Sequence, residues 1–159
     1  MLKMYNLYIF DRRGSCMYFH EWQHEAVGQA PREELDPKLV FGLLFSLKQL
    51  AIKLAPGSAG ADPLALARDG AGNVTSFSTS TYTLHQFETA SGLRFVLNTA
   101  RCKEQVLVDV QAALRYVYSD LFVKLMVKNP LYTPGSPISN PNFTKQLDKY
   151  LVGVANRFP

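Results

Sequence analysis

Two aromatic-rich stretches separated by a short turn open the chain and place the strongest constraint on its fold. Residues 4–10 and 16–22 are rich in Tyr, Phe, Ile, Cys and Trp, side chains that suit the pleated, half-buried surface of a strand. Residues 11–15, of sequence DRRGS, supply turn chemistry between them. The sequence therefore predicts an antiparallel β-hairpin, and with it a fold that contains an antiparallel sheet.

Start signals and apolar periodicity predict three helices. Asp36-Pro37 and Asn140-Pro141 each place a hydrogen-bond acceptor before a proline, which suits the first turn of a helix. These signals predict helices that run to about Leu54 and Ala155. From Lys103 to Lys128 apolar residues recur at the i, i+3, i+4 spacing of one face of a long helix.

Three further strands are predicted over 74–80, 81–88 and 93–99, the last two joined by the turn TASG at 89–92. The predicted order is strand-strand-helix-strand-strand-strand-helix-helix, an α/β (α+β) protein. Residues 55–72 are dominated by Ala, Gly, Pro and Asp, which bury little surface, so we expect a flexible inserted loop there.

Composition limits the class of protein. With 159 residues, 47% hydrophobic and 19% charged, the chain has the size and composition of one globular domain over 1–159. Its net charge is +4, but Lys and Arg are scattered, which argues against nucleic acid as a partner. Two cysteines are too few for a disulfide scaffold, and no apolar stretch approaches the ~20 residues of a membrane span. We therefore expect a cytoplasmic chain.

The motif His20-Glu21-Trp22-Gln23-His24 is a literal H-E-x-x-H, which in zinc proteases puts two imidazoles on one helical face. Here it continues the second predicted strand, on which residues four apart are separated by about 13 Å. Such a pair cannot share one zinc ion, and His85 lies in another predicted strand. We therefore expect no metal site. A small metallohydrolase built on His20 and His24 is the alternative, and it would contain zinc.

Other chemical motifs are weaker. The glycines at 57–60 and 70–72 lack the preceding strand, the following long helix and the Lys-Ser/Thr of a P-loop. The chain has no G-x-S-x-G element, and Asp11, Asp109 and Asp120 have no matching histidine. The sequence therefore predicts no cofactor and no catalytic residue.

The first predicted helix carries more apolar surface than packing on one sheet requires. At about 100° per residue, its main apolar face consists of Val40, Leu43, Leu44, Leu47, Ala51 and Leu54. Phe41, Phe45 and Ile52 extend that face sideways, which suggests that a second surface is covered by a partner protein. They extend it toward a polar stripe that consists of Lys38, Gly42, Ser46, Gln49 and Lys53. A loop of the same chain covering this flank is the alternative. The predicted partner-binding residues are Lys38, Phe41, Gly42, Phe45, Ser46, Gln49, Ile52 and Lys53.

Several short motifs, spread over nearly the whole chain except 55–72, together resemble a known family. They are FDR at 10–12 with Gly14 and Cys16, EW at 21–22, FGLLFSL at 41–47, YTLH at 82–85, TASGL at 89–93, YSDLFVK at 118–124 and KNPL at 128–131. The chain resembles the small longin-type subunits of the TRAPP vesicle-tethering complex. Each motif alone is weak, but the combination is specific.

The resemblance implies a longin-type fold, in which a five-stranded antiparallel sheet carries the first helix on one face and the two later helices on the other. It also implies a non-catalytic core subunit in ER-to-Golgi transport that pairs with other TRAPP small subunits. That complex catalyses guanine-nucleotide exchange on an early-secretory Rab GTPase. The chain would then be cytoplasmic and peripheral at the cis-Golgi and endoplasmic reticulum, and would meet membranes only through the complex. Another longin-type module, an adaptor small chain or a SNARE regulatory domain, is the alternative.

Overall fold

The structure of the chain is a computed structural model that describes residues 1–22, 36–57, 59–60, 62, 64–65 and 72–159. The chain divides into two compact units. One, Met1–Ala26 with Ser76–Pro159, contains the sheet and the later helices, and the other, Val27–Thr75, contains the first helix. The described helices are α1 (Pro37–Leu54), α2 (Glu104–Tyr116) with a π-helical segment (Val117–Val127), and α3 (Pro141–Ala155).

Within the described residues, five antiparallel strands form one sheet in the order β2-β1-β5-β4-β3. At its centre β1 pairs with β5, so that Leu7 lies opposite Leu97 and Ile9 lies opposite Phe95. All four side chains are buried, so these pairs form the middle of the core. The strands are β1 (Met4–Phe10), β2 (Cys16–Glu21), β3 (Ser76–Ser78), β4 (Tyr82–Glu88) and β5 (Arg94–Ala100).

The helices after β5 cover one face of the central strands. α2 continues without a break into the π-helical segment, whose Phe122 meets the Phe95 ring edge-on with centroids 5.8 Å apart. Tyr118 contacts the same ring, also at 5.8 Å. Offset and edge-to-face aromatic pairs of this kind add about 0.5–1.5 kcal/mol each beyond their buried area. The aromatic cluster therefore fixes the long helix on the sheet.

α3 lies against β2 on the same face. The Tyr18 ring meets Phe143 edge-on at 5.2 Å, and the Trp22 indole Nε1 donates a hydrogen bond to Asp148 Oδ1 at 2.7 Å. α3 is thus tied to the first hairpin by both apolar and polar contacts. Within the described part of the chain, no helix is long and apolar enough to cross a membrane.

The predicted α/β class and the five-stranded antiparallel sheet are confirmed. β3 is shorter than the predicted strand over 74–80, because a tight turn replaces its end. The Thr79 hydroxyl accepts a hydrogen bond from the Tyr82 amide at 3.1 Å, and the Thr79 amide donates to the Tyr82 carbonyl at 2.8 Å. Residues 79–81 therefore form the turn between β3 and β4.

The long helix predicted over Lys103–Lys128 is one continuous element. The prediction that it has α-helical periodicity along its whole length is wrong. From Val117 onward it is π-helical, with hydrogen bonds from i to i+5. Its buried residues include two that are five positions apart, Val117 and Phe122, and a second such pair, Leu121 and Met126. The π winding thus brings onto one face large side chains that an α-helix would separate.

Other predictions fall outside what the structure tests. The segment between β2 and α1, residues 23–35, lies outside the described residues, as does His24 within it. So do residues 58, 61, 63 and 66–71 of the predicted loop. The flexible loop over 55–72, the single domain over 1–159 and the position of α1 on the face opposite the later helices stay predictions.

His85 is a fully buried ionisable group in β4. The Thr99 hydroxyl donates to the Ala100 carbonyl, so it accepts from His85 Nε2, 2.9 Å away. The imidazole therefore carries a proton on Nε2, and Nδ1 has no partner within the described residues. Burial lowers the pKa of His85 from 6.5 to about 4, because a buried imidazolium loses its hydration.

We expect the free energy of unfolding to fall as the pH drops from 6.5 toward 4, since the unfolded state then binds a proton that the folded state does not. The loss attributable to His85 is about 1 kcal/mol at pH 5.5 and about 2–3 kcal/mol at pH 4.5. Urea unfolding at pH 7, 5.5 and 4.5 measures it. In His85→Gln this component should vanish, whereas His20→Gln should keep it. Equal pH dependence in the wild type and His85→Gln would contradict the assignment.

Candidate functional site

α1 carries all the predicted partner-binding residues, and its start is defined by a cap. Asp36 Oδ1 accepts a hydrogen bond from the Lys38 amide at 3.0 Å, and Pro37 occupies the first helical position. The cap satisfies one of the amides that the first turn leaves unpaired. The predicted start at Asp36-Pro37 and end at Leu54 are confirmed. The candidate site therefore lies on a regular helix with defined ends.

The structure places most of the predicted site on the exposed side of α1. The side chain of Phe45 is 52% exposed, and Phe41 beside it is half-buried. Gly42 has open space in front of its Cα: among the described residues, no heavy atom lies within 4 Å of the position that a Cβ would occupy. The whole predicted polar stripe is exposed: Lys38, Gly42, Ser46, Gln49 and Lys53. These residues form a continuous surface on which a partner can lie.

Ile52 differs from the other predicted site residues. It is only 8% exposed, and the backbone at Gly72 lies against it, since a Cβ at Gly72 would be 3.1 Å from Ile52 Cδ1 and 3.0 Å from Lys48 Cγ. The alternative, that the same chain covers this flank, therefore holds at Ile52. We leave Ile52 out of the exposed site.

The main apolar face of α1 also differs from the prediction. Leu43 and Leu54, which the periodicity assigns to that face, are 37% and 72% exposed. Val40 and Leu44 are buried together with Ile52, so the buried face is rotated toward Ile52. Leu43 and Leu54 therefore belong to the apolar face by periodicity but lie outside its buried part.

This rotation leaves a second exposed apolar surface on α1. Leu39 and Leu50 are 64% and 52% exposed, and they share one side of the helix with Leu43 and Leu54. We call these four side chains the leucine row: Leu39, Leu43, Leu50 and Leu54. Sequence reasoning missed Leu39 and Leu50, although their spacing of four and seven residues from Leu43 is the signal of an exposed helical seam.

Two described residues of the H-E-x-x-H motif, His20 and Trp22, make contacts within the fold. His20 lies in β2, as predicted, with its Nε2 3.7 Å from Asp148 Oδ1. Its ring meets Trp22 edge-on at 4.7 Å. Within the described residues, no three His, Cys, Asp or Glu side chains lie close enough together to hold a metal ion.

Comparison with known proteins assigns the chain to a family. The chain belongs to the Sybindin-like family, whose sequence model matches residues 4–154. It is similar to trafficking protein particle complex subunit 1 of Homo sapiens, 34% identical over 150 residues that cover 94% of this chain and 92% of that protein. The Dictyostelium discoideum subunit 1 is 32% identical over 148 residues, covering 93% and 94%.

A yeast relative extends the match. The Saccharomyces cerevisiae trafficking protein particle complex subunit BET5 is 32% identical over 173 aligned positions, covering 97% of this chain and 99% of that protein. The resemblance predicted from short motifs is thus confirmed over nearly the whole chain. The match includes the segment that forms α1.

The exposure pattern of α1 predicts that substitutions at Leu50 and Leu44 differ in their effect on the free energy of unfolding. Leu50→Gln should change the free energy of unfolding by no more than about 0.5 kcal/mol, because Leu50 is exposed and Gln has similar helix propensity. Leu44→Ala should cost about 2–5 kcal/mol, because Leu44 is 1% exposed. Chemical denaturation of both variants measures the difference. A loss of more than about 2 kcal/mol in Leu50→Gln would contradict the exposed leucine row.

Proposed function

We propose that the chain is a non-catalytic core subunit of the trafficking protein particle (TRAPP) complex, acting in ER-to-Golgi transport. The observation that carries this proposal is the length of the match, because relatives named as subunits of this complex align over 92%, 94% and 99% of their own lengths. A chain that retains nearly every part of those subunits has what it needs to occupy the same place. It would be peripheral at the cis-Golgi and endoplasmic reticulum, held there by the complex.

The role of this chain in nucleotide exchange would be that of a binding surface. Exchange on a Rab GTPase is accelerated by stabilising the nucleotide-free form, because a binder shifts the GTPase toward the state for which it has higher affinity. A subunit can therefore contribute without donating a chemical group. In this proposal the other small subunits, and an early-secretory Rab, supply the surfaces that meet this chain.

α1 is the surface best suited to those partners. The leucine row and Phe45 lie on either side of the exposed polar stripe, so α1 presents apolar surface on two flanks. Burying one large apolar side chain is worth about 1.5–3 kcal/mol, and a few such side chains supply most of the energy of an interface. The polar stripe between them would provide hydrogen bonds at the same contact.

Gly42 adds a geometric argument for a partner on this side of α1. Glycine in the interior of a helix costs about 1 kcal/mol relative to alanine, and no heavy atom of the described residues lies close enough to Gly42 to exclude a Cβ there. Close approach of another backbone is a use for such a glycine. We therefore place a partner contact over Gly42 and the adjacent Phe45.

Phe45→Glu should abolish co-purification of the chain with the other small subunits, because it puts a charge into an apolar contact. Affinity purification of the tagged chain from cells, followed by mass spectrometry, measures assembly. Val108→Glu is the matched control, since Val108 is 69% exposed on α2 and should assemble normally. A normal complement of subunits with Phe45→Glu would count against α1 as the partner surface.

Gly42→Ala separates folding from assembly. The variant should raise the free energy of unfolding of the isolated chain by about 0.5–1 kcal/mol, yet it should reduce the yield of assembled complex. Gly153→Ala in α3 is the control, because within the described part of the chain Gly153 likewise has no heavy atom within 4 Å of the position of its Cβ. It should stabilise the chain similarly and leave assembly unchanged. Unreduced assembly of Gly42→Ala would exclude close backbone approach at that position.

A further inference from the structure

A cleft of about 660 Å³ lies on the unit that contains the sheet, and all the residues that line it belong to that unit. Its walls come from the β1–β2 turn, the β4–β5 turn and the chain that follows the π-helical segment. Pockets that bind ligands usually have volumes of about 300–1,000 Å³ and combine apolar walls with a few placed polar groups. This cleft has that size, and its lining has that composition.

The rim of the cleft is positively charged. Arg12 and Arg13 both line it and both are exposed. Among the described residues neither guanidinium makes an ion pair. The Asp11 carboxylate also lines the cleft, and its Oδ1 accepts hydrogen bonds from the Arg13 and Ser15 amides, each at 2.9 Å. With two guanidinium groups and one carboxylate the lining keeps a net positive charge, which favours an anion.

The walls beside this rim are apolar. Val127 is 56% exposed where the π-helical segment ends, and Leu93 and the Tyr132 ring are partly exposed beside it. Met17 and Phe122 form the buried floor. A ligand that fills the cleft therefore needs an anionic group next to a large apolar one. A guanidinium binds a carboxylate through paired, charge-assisted hydrogen bonds.

The cleft is held in shape by a close contact between its two turns. Gly92, at φ +90°, lies so near the first turn that a Cβ there would be 2.7 Å from Arg12 Cβ. Gly14, at φ 88°, and the Asp11 hydrogen bonds set the conformation of the first turn. A preformed site avoids much of the ordering cost of binding, so these contacts favour recognition of a defined ligand.

We infer that this cleft binds an acidic peptide segment of another protein, with a Glu or Asp carboxylate on Arg12 and Arg13 and a neighbouring large apolar side chain against Val127 and Leu93. A membrane surface is less well matched, because anionic lipid binding uses clusters of about 4–8 Lys or Arg and the cleft supplies two. A bare phosphate would leave the apolar walls unused. The inference does not depend on the role proposed for α1.

The test uses the full chain and a random peptide library displayed on phage. We expect enrichment of peptides that place Glu or Asp next to Leu, Ile, Phe or Tyr. The synthetic peptide of the enriched sequence should lose affinity about tenfold or more on Arg12→Glu/Arg13→Glu, measured by fluorescence anisotropy, since the variant removes the charge-assisted hydrogen bonds to the peptide carboxylate. Val127→Asp should also weaken binding. The control Arg101→Glu/Arg157→Glu changes exposed arginines outside the cleft lining and should bind normally.

Further measurements distinguish this inference from the α1 proposal and distinguish a peptide carboxylate from a lipid phosphate as the anion. Phe45→Glu should leave peptide affinity unchanged, so failure of the α1 proposal and failure of this one can be told apart. Sedimentation with phosphatidylcholine vesicles containing phosphatidylserine should show no binding that depends on Arg12 and Arg13. The inference is overturned if no acidic peptide is enriched, if the control variant loses affinity as much as the cleft variant, or if the arginines bind vesicles and not peptide. Circular dichroism of each variant checks that it is folded.

Discussion

The burial of β1 on both of its faces is the constraint on which the rest of the fold depends. Four consecutive side chains, Leu7 to Phe10, are each 2% exposed or less. The strand also lies inside its sheet, between β2 and β5. Because the strand pairs on both edges, its backbone amides and carbonyls have partners in the interior, where an unpaired group would be costly.

The helices that follow β5 complete one side of this core and determine which surfaces stay free. The π-helical segment supplies the large aromatic side chains over Phe95. α3 is held to the end of the first hairpin by the hydrogen bond between Trp22 and Asp148. Where the π-helical segment ends, Val127 is left exposed beside the two hairpin turns. The same packing that closes the core therefore creates the cleft. The exposed side of α1 offers a different chemistry, apolar on two flanks and polar between them.

Much of the secondary structure could be predicted from the sequence because its signals are local. Asp36 and Asn140 accept hydrogen bonds from amides two residues away, so the signal for each helix start lies within a few consecutive residues. The strands of the first hairpin are equally clear from their aromatic side chains. The π-helical register of residues 117–127 could not be predicted from the sequence. A helix that is apolar nearly all round its circumference is compatible with both an α-helix and a π-helix. The Phe95 ring on another element selects between them.

The candidate site on α1 likewise has features that could be predicted from the sequence and features that depend on tertiary contacts. The helix over residues 37–54, its excess of apolar surface and its polar stripe with Lys38, Gly42 and Gln49 could all be predicted from periodicity. Which flank is covered depends on tertiary contacts: the backbone at Gly72 lies on Ile52, while Leu39 and Leu50 stay exposed. The cleft was also beyond the sequence, because its walls are distant in the chain. The physical reason is that periodicity reports which side chains share a face, whereas burial depends on what the folded chain brings against that face.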